Sequence, residues 1–253
     1  MRVIGIDLAA RSASTGVVVM DDSGNGWVAR SVADEPDDDR LVALAVGADA
    51  IGVDAPLGWP DAFVEAVGAH HRGAAWPGTT DRRPLTHRLT DVLTREVVGR
   101  YPLSVSADLL GVVAMRAALL QQRWADEAWG GTHAPRDGSG ILSETYPAAA
   151  FAAWRIECRG YKARNRPDEA RAVRRSIVAE LRRSTRTWLD ISMIEHEAAQ
   201  NDHVLDAFVC ALIALAVRTG ATTGPTDEQR DVAGREGWIH VPRSSLDALR
   251  PPS

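Results

Sequence analysis

Arg2-Val3-Ile4-Gly5-Ile6-Asp7-Leu8-Ala9-Ala10 is an apolar run from Val3 that meets one charge, Asp7, at its far end. Val and Ile are β-branched and suit a pleated strand, and the unbroken apolarity from Val3 to Ile6 predicts a strand buried on both faces. Such a strand is central to a sheet. A carboxylate at its tip is costly to desolvate alone, so Asp7 is expected to meet a metal, a cation or a cluster of donors. Ala50-Ile51-Gly52-Val53-Asp54-Ala55-Pro56 repeats the design: a short apolar strand, an acid at its tip and a proline that ends the pairing.

Between the two runs, Arg11-Ser12-Ala13-Ser14 reads as a turn, Thr15 to Met20 as a second strand and Trp27 to Ala33 as a third. Asp21 to Gly26, dense in turn formers, separates those two. Asp37-Asp38-Asp39 then opens a helix whose apolar side is Leu41, Leu44 and Ala45. A strand reached through a helix is expected to lie parallel to the first, which brings Asp7 and Asp54 to the same edge, where open α/β sheets place their sites.

Residues 57–84 carry Gly, Pro, Trp59, Trp76, His70 and His71, with weak helical character only over 61–68, and read as an irregular insertion over the site that could act as a lid. Helices are expected over Thr86 to Gly99, with Arg88 and Asp91 as an i,i+3 surface pair, and over Ala107 to Trp129. Ile141 to Pro147 is another short strand, with Glu144 as a third strand-end acid. Ala148 to Trp154 and Pro167 to Thr185 follow as helices, Asn201 to Arg218 as the most apolar helix, and Gly237 to Pro242 as a last strand. The expected fold class is α/β: a mixed sheet, made of a three-strand antiparallel meander plus parallel strands, with helical insertions. Without internal repeats or low-complexity linkers, residues 1–253 read as a single domain, with an insertion at about 57–135 and a basic helical segment at about 155–186.

The chain carries a formal charge of -5, which argues against a protein coated in positive charge for nonspecific nucleic-acid binding. Arg155 to Arg186 runs the other way: eleven Arg or Lys against four acids leave roughly +7, a segment that nucleic-acid phosphate or plain solvent could cover. Cys158 and Cys210 have neither CxxC spacing nor the density of a disulfide scaffold, so free thiols and a reducing compartment are expected. With no basic n-region with a cleavage site and no 18-residue apolar run, the expectation is a cytoplasmic protein without a membrane span.

Five acids stand where structure alone explains them poorly: Asp7, Asp54 and Glu144 at strand ends, and Asp202 and Asp206 at i,i+4 in the first turns of the apolar helix. Like charges on one buried face need neutralising, and oxygen ligands point to a hard divalent ion, Mg2+ or Mn2+. His70, His71, His87 and His203 lack metal-ligand spacing and read as surface or packing residues. No Ser or Cys has a convincing nucleophile partner.

This order of elements resembles the ribonuclease H-like fold, including the Holliday-junction resolvase branch. More closely, GIDLA at 5–9, VDAPLGWP at 53–60, RLTD at 88–91, ETYPAAAF at 144–151, GYK at 160–162, NDHVLDAFVCAL at 201–212 and EGWIHVP at 236–242 are similar to the family called domain of unknown function 429, described as predicted ribonuclease H-like nucleases. The resemblance covers nearly the whole chain. It implies metal ligands at Asp7, Asp54, Asp202 and Asp206, with Glu144 as a further ligand, a general base or an outer group. Catalytic work would fall to Asp7, Asp54, Glu144 and Asp206, and substrate binding to Arg88 and Lys162. The implied activity is phosphodiester hydrolysis on nucleic acid by two metals roughly 3.5 to 4 Å apart. Two other functions remain: a non-catalytic domain of this fold that binds a partner, and a nucleotide phosphotransferase of the related actin-like fold, which also begins with a strand-end Asp and a Thr-Gly turn. The latter lacks a second DxGxT-like loop and a Gly-Gly adenosine motif here. Oligomeric state is not legible.

Overall fold

Strand β1 (Arg2–Asp7) lies inside the main sheet, paired antiparallel with β2 (Gly16–Asp22), which pairs antiparallel with β3 (Trp27–Ser31). The structure, a computed structural model, describes residues 1–249 apart from Ser23, Asn25, Ala33, Asp34 and Thr79. The expected end of the third strand, Ala33, and two residues of the turn before it therefore lie outside the described residues. Helix α1 (Asp38–Ala45) begins where the acidic run predicts, with the Asp37 side chain accepting from Arg40 N as its cap. Strand β4 (Ala50–Val53) returns parallel to β1.

The segment after β4 is more helical than its composition suggests. Helix α2 (Asp61–His71) extends beyond the expected 61–68 and is followed by the short α3 (Arg83–Thr86). Helix α4 (Leu89–Val98) starts three residues later than expected because Arg88 keeps an extended backbone and serves as the cap. Helix α5 (Gly111–Arg123) runs into a widened π turn over Trp124–Ala128. Strand β5 (Leu142–Glu144) joins β4 in parallel, and α6 (Pro147–Ala153) and α7 (Pro167–Thr185) follow. The two-residue β6 (Leu189–Asp190) pairs with β3, and α8 (Glu195–Gln200) leads into α9 (Asp202–Arg218). Strand β7 (Thr222–Thr223), α10 (Arg230–Glu236) and β8 (Val241–Pro242) close the chain. The expected last strand shrinks to β8, paired with β7 in a separate ribbon, while Ile239 bridges Glu144.

The main sheet has the order β5-β4-β1-β2-β3-β6. It is a ribonuclease H-like mixed sheet: an antiparallel meander flanked by parallel strands, with helices added around it. Both faces are buried, and strand alternation divides the side chains between them. Val3, Val18, Met20 and Ala29 pack towards α9, α6 and α7, whereas Ile4, Ile6, Val17, Ile51 and Val53 pack towards α1 and α5. Helix α9, buried almost throughout, lies directly on β1, β2 and β4. Gly5 and Gly52 make that approach possible: a methyl group at Gly5 would overlap Ala207 O and Ala211 N, and one at Gly52 would overlap Cys210 O. Among the described residues no helix is long and apolar enough to cross a membrane.

Candidate metal centre

Alternation decides which strand-end acids meet. Gly5 and Gly52 face α9, so Asp7 and Asp54, two residues further along each strand, face it too. Helix α9 answers from its second turn with Asp206, which is fully buried. One carboxylate oxygen from each of Asp7, Asp54 and Asp206 lies within 4.8 Å of the others. Asp7 is nearly buried, and the partly exposed Asp54 lines a cleft between β4, the Pro102–Leu103 loop and Lys162.

Each outer acid has protein partners. Asp7 Oδ2 is 2.6 Å from His203 Nδ1. Asp206 Oδ1 accepts from the Tyr161 hydroxyl at 3.0 Å, and its Oδ2 pairs with the Lys162 ammonium. Arg174 of α7 is a buried strut behind them, donating to Tyr161 O at 2.5 Å, Ala199 O at 3.2 Å and Gln200 O at 3.0 Å. It fixes the Tyr161-Lys162 turn against the start of α9. Among the described residues none donates a hydrogen bond to Asp54, whose oxygens remain available to a ligand in the cleft.

The electrostatics follow from crowding. Burial raises the Asp54 carboxyl well above the ordinary range, and the charges of Asp7 and Asp206 add to that against Lys162. Burial likewise pushes Asp206 up to about 7, opposed by Lys162 and reinforced by Asp7. Burial alone would lower the Lys162 ammonium, but Asp206, Asp54 and Asp7 outweigh it and raise it. The hydrogen bond to Asp7 raises His203 despite partial burial. Three clustered carboxylates, of which Asp54 and Asp206 are held above the ordinary range, present only hard oxygen donors, which fit a divalent cation, and this buried acidic cluster could hold one.

Of the other predicted residues, none belongs to the three-acid cluster itself. Glu144 is in register with Val53, so it leaves β5 on the α1 and α5 side and stays outside the triad, although it lines the same cleft as Asp7 and Asp54. Its oxygens take Arg88 Nη2 at 2.6 Å, Arg88 Nη1 at 2.8 Å and Leu57 N at 3.0 Å. Burial raises its carboxyl in spite of Arg88. Arg88 and Asp91, expected as a surface pair, are both buried: Arg88 Nε and Nη2 donate to Asp91 at 3.2 and 2.9 Å, and Nη1 also reaches Glu236 O at 3.1 Å. All five N–H groups of Arg88 are thereby engaged inside the protein. Asp202, expected to share the metal with Asp206, stands one turn further out and outside the triad, while Asn201 caps α9 by accepting from His203 N at 2.9 Å. Lys162, in contrast, is at the site.

His203, which reads from sequence as a surface or packing residue, and Tyr161, to which the sequence gives no role, each hold an acid of the cluster. His203 is i,i+3 to Asp206 and therefore on the same helix face, a spacing that pairs it with the site even though it is no metal-ligand motif. Tyr161 is the middle residue of GYK. The basic segment is partly self-satisfied, with Arg166–Glu169, Arg182–Glu195 and Arg183–Glu180 pairs along its surface. Cys158 and Cys210 are unbridged, as their spacing predicted.

Fold and site together define a ribonuclease H-like protein with a buried Asp7-Asp54-Asp206 cluster able to accept a divalent ion. The chain belongs to the family described as Protein of unknown function (DUF429), whose model matches residues 5–230. No curated protein and no solved structure matches it.

Proposed function

We propose that the protein is a metal-dependent phosphodiesterase acting on nucleic acid. The convergence of Asp7, Asp54 and Asp206 on one point carries this reading. Mg2+ or Mn2+ would be held by these three carboxylates, two ions sharing them in the fullest form of the reading. A metal bound there supplies an acidified water and withdraws charge from phosphoryl oxygens.

The chain's own groups do the rest. Asp54 faces the cleft with oxygens that accept no hydrogen bond among the described residues, His203 orients Asp7 through its Nδ1 contact, and Tyr161 with Lys162 orients Asp206. Lys162 also brings positive charge to the place where a phosphate would lie. In the hydrolysis, a water oxygen bonds to phosphorus as the phosphorus bond to the leaving sugar oxygen breaks. The water gives up a proton and the leaving oxygen takes one, so a phosphate monoester and an alcohol result. Glu144 and Arg88 tie α4, β5 and the end of α10 together beside the site, as positioning groups.

The test is a panel of single-stranded, duplex, branched and hybrid substrates with Mg2+ or Mn2+. Cleavage by the wild type that disappears in Asp7→Asn supports the reading, and a panel left intact refutes it. One observation favours a second reading, a non-catalytic domain that binds a partner: Lys162 already counters the charge of Asp206, so the cluster has an internal cation. Carboxylate-dependent metal binding separates the two.

A further inference from the structure

Two cavities of different character meet at Asp54, Tyr146 and Lys162. One, about 280 Å³, also reaches Asp7 and is walled mainly by apolar side chains, Leu8, Pro56, Pro102, Leu103, Leu110 and Val113, with the mutually paired Arg88 and Glu144 as its other charged groups. The other, about 410 Å³, carries Arg100 and Arg159, and among the described residues neither guanidinium is in an ion pair. Asp54 therefore sits at the junction of a largely apolar chamber, which also reaches Asp7, and a basic one.

Resting on the phosphodiesterase reading, we propose that the cleft takes the end of a single strand. The terminal base occupies the apolar chamber, the terminal phosphodiester lies beside Asp54, and the rest of the strand leaves over Arg159 and Arg100. Charge dictates this polarity. A strand that continued through the apolar chamber would bury a phosphate among Pro102, Leu103, Leu110 and Val113, a desolvation with nothing to offset it. Arg88 is the guanidinium in that chamber, and its donors are all taken by Asp91, Glu144 and Glu236 O.

A base is the part of a nucleotide that suits such walls, and the half-buried Tyr146 at the junction offers it an aromatic face. The size agrees: the chamber is near the small end of the roughly 300 to 1,000 Å³ typical of small-molecule sites, room for a single unit and not for paired, stacked bases. The basic chamber suits a phosphate backbone read without regard to sequence. Each turnover would break one phosphorus–oxygen bond with one water, releasing a mononucleotide and a strand shorter by one residue.

The experiment compares an end-labelled linear single strand with the covalently closed circle of the same sequence, both with Mn2+, using wild type and Leu103→Trp. Leu103 is exposed at the chamber mouth, so the bulkier ring fills the chamber without entering the core. Mononucleotide release from the linear strand, an intact circle and release slowed about tenfold or more in Leu103→Trp with unchanged Mn2+ binding are expected. A circle cut as fast as the linear strand, or a Leu103→Trp variant as active as wild type, overturns the end-binding proposal while the phosphodiesterase reading stands. If neither substrate is cut although Mn2+ binds, that reading falls and this proposal falls with it.

Discussion

Replacing Asp206 by Asn removes one ionisable group from the most buried corner of the site. In the folded chain the Asp206 carboxyl is held up to about 7, chiefly by burial, against an ordinary value of 3.8. Because the folded value is the higher one, the stability this group contributes is complete below about pH 4 and is lost as pH rises through 7. In that window the unfolded chain has released the proton and the folded chain still holds it. Each pH unit costs the wild type about 1.4 kcal/mol, so between pH 5 and 8 the Asn variant should gain about 3 kcal/mol on it. The assay is urea unfolding of both proteins at several pH values with a chelator present, taking the difference in unfolding free energy. A difference that stays flat across that range would show that Asp206 is ionised in the folded protein throughout, and the account of a carboxyl held up by burial would be wrong.

Two further substitutions probe the frame around the site. Arg88→Met leaves Glu144 and Asp91 buried without their cation and should cost about 3 to 5 kcal/mol, read as a lowered denaturation midpoint. Gly52→Ala drives a methyl into Cys210 O, pushing α9 off β4, and should cost about 3 kcal/mol in the same measurement, whereas alanine at Gly224, which meets nothing within 4 Å, should change little.

The parts of this architecture that were legible in sequence are those with long or repeated signals. The apolar runs of β1 and β4, each ending on an acid, fixed two corners of the triad, and the apolarity of α9 announced a buried helix around Asp206. Glu144 looked equivalent to Asp54 because a strand-end acid does not declare its face. Only the register of Val53 with Glu144 shows that the two point to opposite sides of the sheet. Arg88 and Asp91 read as a surface pair since i,i+3 charges look alike whether solvated or buried, and the partner that buries them, Glu144, is distant in sequence. Asp202 looked equivalent to Asp206 by spacing, yet one helical turn separates an acid inside the cluster from one at its rim. Strands β6 and β7 have two residues each, too short for any periodicity to register.

His203 shows the same limit from another side. A histidine search keyed to metal-ligand spacing passes over a residue whose imidazole holds Asp7 in place. Its place one turn before Asp206 becomes informative once β1 is known to lie under α9.

The central claim, that Asp7, Asp54 and Asp206 form a divalent-ion site, is tested most directly by calorimetric titration of Mn2+ at pH 8, above the value of about 7 to which burial lifts Asp206. Wild type should bind with measurable heat, and Asp7→Asn should lose most of it while remaining folded. Equal heats from the two proteins, or no heat from the wild type, would contradict the claim.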